Sequence, residues 1–391
     1  MNKKLHVAIV LAKGFDGCGV SRFAIEHQKE LERTFNTCDI FSYKTKYVRS
    51  TLQGCDYRVN WVDKLSDIDF TNYDICILNS YPKEFDEDDF LYYSSLPCIK
   101  VAMMHEILRQ NVGRISHIWD WISASDIVSS FSSDMDFVTD LFQHFPNKPY
   151  FSFSMPMCDA DINSLYKTSL DKTKENRLVY FGRWTTMKDP SRLFSYKSID
   201  PSLNLSMIGI ERSIGAKFDI LDNPLCDFVK LPKNKLIKYS DFEDNCNRDN
   251  TKVQVFPPVD RNVAFDILSH SLFGTSFYRL KKNKQHNLGN RMEYTQIELS
   301  SLCLPLFDID WGKNTFDKNS GKSFYELSMS AQPNAIYSDT DYLDDSISEM
   351  KYLVNHPMEY NKRRENLYKL VLANYSSSVN IADFYNTVLS F

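Results

Sequence analysis

The sequence predicts an α/β protein built from two doubly wound lobes, each a mainly parallel sheet with helices on both faces. Three observations predict it. An apolar strand, His6-Val7-Ala8-Ile9-Val10-Leu11-Ala12, runs straight into the glycine-rich turn around Gly14, Gly17 and Gly19. A second strand, Leu178-Val179-Tyr180-Phe181, runs into Gly182 and Arg183 in mid-chain. After each, short runs rich in Val, Ile, Phe and Tyr alternate with amphipathic stretches, the pattern of strand–helix–strand units.

In order, strands are expected at 5–12, 37–43, 74–79, 98–104 and 126–131, with amphipathic stretches at 19–33, 84–94, 114–123 and 134–144 between them. From 145 to 176 the alternation lapses. Pro146, Pro149 and Pro156 lead into a polar Lys/Asp/Thr stretch that reads as a linker. Alternation resumes at 177–182, 203–209, 252–256, 272–278, 303–307 and 335–338. Three helices are expected to close the chain, Tyr342–Asn355, Pro357–Tyr375 and Val379–Ser390. The boundaries that follow are 1–165 for a first Rossmann-like domain, 166–372 for a second, and 373–391 for a terminal helix.

Bulk properties narrow the class. The length of 391 residues suits two domains, and 43% apolar content permits sizeable cores. No run approaches the length of a membrane span. Lys3 and Lys4 before a short apolar stretch imitate a signal peptide, but that stretch ends in a glycine loop and reads as a buried strand. Nine scattered cysteines without a CxxC pair point to a reducing compartment and no zinc site. The net charge of −5 argues mildly against nucleic-acid binding. Its distribution argues the other way: Arg279, Lys281, Lys282, Lys284 and Arg291 form a basic loop, Lys44, Lys46 and Arg49 a second group, Arg109 and Arg114 a third. Taken singly, each group reads first as a solvated loop. Acid gathers at Glu84 to Asp89.

Four segments carry chemistry. Gly17-Cys18-Gly19-Val20 precedes a helix expected to begin near Ser21. Glycine lets backbone approach an anion, and a helix N-terminus offers unpaired N–H groups, so the segment suits a diphosphate. A dinucleotide site would need an acid after the second strand, where Lys44, Thr45 and Lys46 stand instead. Gly182-Arg183 through Lys188 places a planar fork and an ammonium at a strand mouth, where ligands of open sheets gather. Tyr294 and Thr295 open a helix after the basic loop. Glu293 and Glu298 lie about 140° apart around it, so one role for both is not expected. His105 and Glu106 follow the strand at 98–104, where either could take a proton from a hydroxyl.

Together these segments resemble the T4-type DNA α-glucosyltransferase family of phages. The similar stretches are Leu11 through Phe23, Gly182-Arg183 through Lys188, Gly209-Ile210-Glu211-Arg212-Ser213, and Met292 through Leu299. The resemblance runs in order over most of the chain. It implies a GT-B fold, two Rossmann-like domains facing a cleft, with a C-terminal helix crossing back to the first. It implies retaining transfer of a sugar from a UDP-sugar donor to 5-hydroxymethylcytosine or a similar hydroxylated cytosine in double-stranded phage DNA, with no metal and no other cofactor. On matching positions, Arg183 and Lys188 would hold the diphosphate, Gly17, Cys18, Gly19 and Val20 the phosphate loop, and Glu298 the ribose. Glu211, Arg212, Tyr294 and Thr295 would lie near the nucleotide. The family has His-Asp where this chain has His105-Glu106. One added methylene moves the carboxylate by about 1 Å, enough to alter sugar geometry. Glucose is the donor sugar expected first, with arabinose as the alternative. A monomer in the cytoplasm of the infected host, without membrane contact, is the expected setting. The alternatives are a GT-B glycosyltransferase or epimerase acting on a non-DNA substrate, and a non-catalytic nucleotide-dependent DNA-binding protein.

Overall fold

The structure, a computed structural model, describes residues 4–11, 19–34, 36–43, 57–80, 85–105, 118–130, 135–182, 190–217, 220–230, 239–246, 250–275, 294–307 and 339–391. The chain divides into two compact units. The first takes Met1–Asp159 and Asn374–Phe391; the second takes Ala160–His286 and Met292–Ala373.

In the first unit the elements are β1 (His6–Leu11), α1 (Gly19–Arg33), β2 (Thr37–Tyr43), β3 (Val59–Val62), β4 (Ile75–Asn79), α2 (Glu87–Ser94), β5 (Ile99–Met104), α3 (Ile118–Ala124), β6 (Ile127–Ser130), α4 (Met135–His144) and β7 (Tyr150–Ser152). Seven strands form one sheet in the order β3-β2-β1-β4-β5-β6-β7, every pair parallel. Such a sheet is covered on both faces, which is why Val7 through Leu11 and Ile75 through Leu78 are unbroken apolar runs, all fully buried. The acidic run foreseen at Glu84 to Asp89 starts α2. Asp86 accepts from the Asp89 amide and Asp89 answers to the Asp86 amide, a capping box with Glu87, Asp88 and Asp89 in the first turn.

The second unit holds α5 (Asp159–Leu170), β8 (Glu175–Phe181), α6 (Arg192–Ile199), β9 (Asn204–Ile208), α7 (Arg212–Lys217), β10 (Cys226–Phe228), α8 (Tyr239–Cys246), β11 (Val253–Phe256), α9 (Arg261–Ser269), β12 (Ser271–Thr275), α10 (Tyr294–Ser301), α11 (Asp339–Asn355) and α12 (Pro357–Tyr375). Its five strands run parallel in the order β10-β11-β9-β8-β12. Leu178, Tyr180, Leu205, Met207, Val253, Val255 and Phe273 build its core with Leu193, Tyr196, Ile347 and Met350 from the helices.

Several expectations are corrected. The stretch read as a linker contains β7 and α5. β3 and β10 fall where no strand was foreseen. Both are edge strands with few buried residues, so neither carries a strong apolar run. The expected strand at 303–307 contributes only a single parallel bridge, Leu306 to Gly274. Cys303 there adopts φ 55 and ends α10 with a left-handed cap. The expected strand at 335–338 lies outside the described residues.

The terminal helix α13 (Ser377–Ser390) belongs to the first unit. Ser377, Asn380, Ile381, Phe384, Tyr385 and Val388 form one buried stripe at helical spacing. Phe384 meets Phe153 with ring centroids 4.8 Å apart, and His27 at 5.3 Å. The start of α13 is tied to the 157–159 segment. Met157 N donates to Tyr375 O and Ser377 N to Met157 O. Asp159 accepts from Ser376 Oγ at 2.7 Å and Ser378 Oγ at 2.5 Å. Burial alone would raise the Asp159 carboxyl, but the donors from Ser378 and Ser376 outweigh it and hold it below its ordinary value.

Two outcomes follow. Asp159→Ala removes a carboxylate with charge-assisted partners and is expected to cost about 2 kcal/mol, read as a lower urea midpoint; an unchanged midpoint would show that the apolar stripe alone holds α13. His27 is fully buried, bonded through Nδ1 to Tyr385 Oη at 2.9 Å, and burial lowers its pKa from 6.5 to about 3. The unfolded imidazole takes up a proton near 6.5 while the folded one does not. This contribution to stability is therefore complete above 6.5 and drains as pH falls from 6.5 toward 3. His27→Gln is expected to flatten the dependence of the urea midpoint on pH across that window.

Candidate functional site

In open α/β sheets, ligands collect beyond the carboxyl ends of the strands where the strand order reverses. The first sheet reverses between β1 and β4, because β2 and β3 lie to one side and β5 to β7 to the other. Gly19 and Val20 open α1 beside this point, two residues before the start foreseen at Ser21. Gly17 and Cys18 lie outside the described residues. β4 ends in Asn79, which is fully buried. Its Nδ2 donates to Val20 O at 2.8 Å, and its Oδ1 lies in hydrogen-bond contact with His105 Nε2. His105 follows β5, is 5% exposed, and sets its ring edge-on to Phe23 at 5.3 Å. The next residue after Asn79, Ser80, takes φ 75, a left-handed conformation that costs a serine about 1 kcal/mol, and its N–H donates to Met103 O at 2.8 Å. Among the described residues, the buried hydroxyls of Ser21, Ser80 and Ser129 have no hydrogen-bond partner in the protein. Buried hydroxyls of this kind call for a partner such as water, an ion or a ligand.

The second sheet reverses between β8 and β12. β8 delivers Gly182 there at φ 139, and β9 delivers Gly209 at φ 98. A Cβ on Gly209 would stand 3.0 Å from the Gly182 carbonyl oxygen, so the two strand ends approach as only glycine allows. Glu211 and Arg212 follow β9 on the surface, and the Arg212 guanidinium sits 5.9 Å over the Phe228 ring. α10 opens with Tyr294, which is buried, and Thr295, whose buried Oγ1 has no hydrogen-bond partner among the described residues. Glu298 lies one turn on, 8% exposed, paired with Arg261 Nη2 at 2.6 Å. Arg261 starts α9 and lies 4.8 Å over the Phe265 ring. Phe265 in turn meets Phe181 at the end of β8 at 6.2 Å. Glu298 is thus joined to the β8 strand end through a cation and two rings.

Of the residues singled out from sequence, Gly19, Val20 and His105 gather at the first edge, while Glu211, Arg212, Tyr294, Thr295 and Glu298 belong to the second unit. Glu106, Arg183, Lys188, Lys44, Lys46, Arg49, Arg109, Arg114, Arg279, Lys281, Lys282, Lys284 and Arg291 lie outside the described residues. Sequence reasoning missed Asn79, Ser80 and Arg261. Asn79-Ser80 closes an apolar run at the strand edge that had already drawn attention to His105. Arg261 follows Pro257-Pro258 after a strand, a position equivalent to those of the recognised motifs.

No protein-family model matches the chain. In sequence it is 23% identical over 416 aligned residues to the DNA alpha-glucosyltransferase of Enterobacteria phage T4, covering 96% of this chain and 97% of that one. In fold it matches an alpha-glucosyltransferase solved with UDP and a 13-mer DNA containing an HMU base, with TM-score 0.77 and 18% identity, over 99% of this chain and 100% of that one. A structure of an alpha-glucosyltransferase with UDP-glucose and DNA containing an abasic site gives the same TM-score, identity and coverage. In sequence and in fold, over nearly the whole of both chains, this protein is similar to the DNA α-glucosyltransferase of phage T4, and its fold is GT-B.

Proposed function

We propose that the protein transfers glucose from UDP-glucose to the hydroxymethyl group of a modified pyrimidine, 5-hydroxymethylcytosine foremost, in double-stranded DNA, with retention at the anomeric carbon. The observation that carries this reading is the end-to-end match to a DNA α-glucosyltransferase, over 96% of this chain and 97% of that one. The relatives solved with UDP-glucose and with DNA favour glucose over arabinose and DNA over other acceptors. Among the described residues no helix is long and apolar enough to cross a membrane.

The chemistry is assigned as follows. The donor lies against the second unit, its ribose taken by Glu298, whose carboxylate Arg261 holds in place. Glu211, Arg212, Tyr294 and Thr295 surround the nucleotide. The bond from the anomeric carbon to the β-phosphate oxygen breaks, and charge grows on the departing UDP. Arg183, Lys188 and the α1 N-terminus with Gly17, Cys18, Gly19 and Val20 stabilise that charge without a metal. Groups fixed in advance where charge develops are the largest catalytic contribution in most enzymes. The acceptor hydroxymethyl oxygen forms the new bond from the face UDP leaves, and its proton passes to a phosphate oxygen or to the His105–Glu106 pair. The base flips out of the duplex to reach the reacting carbon. The basic groups at Lys44, Lys46, Arg49, Arg109, Arg114, Arg279, Lys281, Lys282, Lys284 and Arg291 track the phosphates. The enzyme works as a monomer in the host cytoplasm.

The deciding experiment incubates the protein with UDP-glucose or UDP-arabinose and a duplex carrying 5-hydroxymethylcytosine, then weighs the released nucleosides. A hexose on the modified base alone is expected; no sugar from either donor would falsify the assignment. Arg183→Ala is expected to lose at least about 100-fold in kcat, as loss of one preorganised charge-stabilising group does, with an unchanged thermal midpoint. Lys281→Ala is expected to lower the slope of log K for DNA against log salt by about 0.9, measured by fluorescence anisotropy; an unaltered slope removes that lysine from the DNA surface.

A further inference from the structure

We infer that Asn79 is a positioning residue that fixes both the ring orientation and the tautomer of His105. This rests on the glycosyltransferase reading for its catalytic consequence, though not for its geometry. Val20 O is a carbonyl and only accepts, so the atom of the Asn79 amide 2.8 Å from it must be the NH2 group. The amide therefore cannot flip, and its oxygen is the atom turned to His105 Nε2. An oxygen acceptor requires a proton on Nε2. In neutral His105 the lone pair is consequently on Nδ1.

The support behind Asn79 is as rigid as the bond it makes. Asn79 is fully buried, the last residue of a strand with parallel partners on both sides. Immediately after it, the chain turns through the left-handed Ser80, whose N–H is held by Met103 O on the neighbouring strand. Phe23, from the same helix turn as Val20, sets its ring edge against the imidazole. One side chain thus ties the start of α1 to the end of β4 and the residue after β5, three elements that converge where the first sheet reverses its order. A shift of α1 would be transmitted to the imidazole through this amide and through the Phe23 ring.

The test combines a spectroscopic and a kinetic readout. In wild-type protein, the imidazole 15N and 1H spectrum of His105, assigned by comparison with His105→Gln, is expected to show the Nε2–H tautomer at neutral pH. Asn79→Leu keeps the branched shape and removes the amide. It is expected to release the ring into mixed tautomers and to lower kcat on 5-hydroxymethylcytosine duplex by about 10- to 100-fold, as small misplacements of catalytic groups do, while KM for UDP-glucose stays within about twofold. Asn79→Asp keeps an acceptor facing Nε2 and is expected to keep that nitrogen protonated. Asn79→Ala provides a second comparison should the leucine variant not fold. A wild-type Nδ1–H signature overturns the inference. So does a kcat unchanged in Asn79→Leu or, in its place, Asn79→Ala. If the wild-type enzyme transfers no sugar at all, the functional reading fails, and the 15N spectra alone decide whether Asn79 sets the tautomer.

Discussion

A helix buried on nearly every face must set most of its polar side chains against fixed partners, and α1 is such a helix. Eleven of its 15 residues are buried, among them Arg22, Glu26, His27, Gln28 and Glu30. Arg22 and Glu26 pair at 2.5 Å, and Glu26 also accepts from the Cys158 amide. Gln28 reaches Cys38 O and Arg58 O on the β2–β3 side. His27 and Glu30 take Tyr385 Oη and Ser377 Oγ from α13. Buried ion pairs of this kind contribute little net stability against a hydrophobic replacement. Their effect here is positional, since each partner comes from a different direction and only one placement of α1 satisfies them all. The first residues of that helix stand at the reversal point of the sheet, so the placement of the whole edge descends from this set of buried contacts.

The two units solve the same problem by different means. Each needs backbone and polar atoms to come close at the carboxyl ends of parallel strands. The second unit does it with glycine, pressing Gly182 and Gly209 together in conformations a side chain would oppose. The first unit does it with a strained serine and a buried amide, Ser80 and Asn79. An amide can do what glycine cannot, because it bonds in two directions and so sets the orientation of a neighbouring ring. The second unit instead places its carboxylate, Glu298, by a cation that is itself laid over Phe265. A guanidinium over a ring face gains attraction and loses freedom, and both effects narrow where the carboxylate can point.

The central strands were legible because they are buried on both faces and so read as unbroken apolar runs; β2 was bounded from sequence at the residues it occupies, 37–43. The edges were not. β3 (Val-Asn-Trp-Val) and β10 (Cys-Asp-Phe) bury little, so their composition is that of loops. The prolines around 146–156 concealed β7, and the polar face of α5 gave its sequence the look of a linker. At the strand ends, glycine and histidine announced themselves, and Gly19, Gly182, Gly209 and His105 all stand there. Asn79 and Arg261 did not. An asparagine or arginine is unremarkable in a sequence until its partner is known, and Val20 and Glu298 lie 59 and 37 residues away. Residues that act through long-range pairing leave no local pattern to read.

The return of α13 to the first unit has a consequence for the order in which the protein is made. The face of α1 that carries His27 and Glu30 is closed by Tyr385 and Ser377. On the ribosome that face stays uncovered while more than three hundred further residues are translated. The chain from Ala160 to Ala373 contains the long segments of the second unit and can pack before α13 emerges. The lobe begun first is therefore the last to be completed, and a nascent chain stalled short of residue 377 would expose buried acid and imidazole to water.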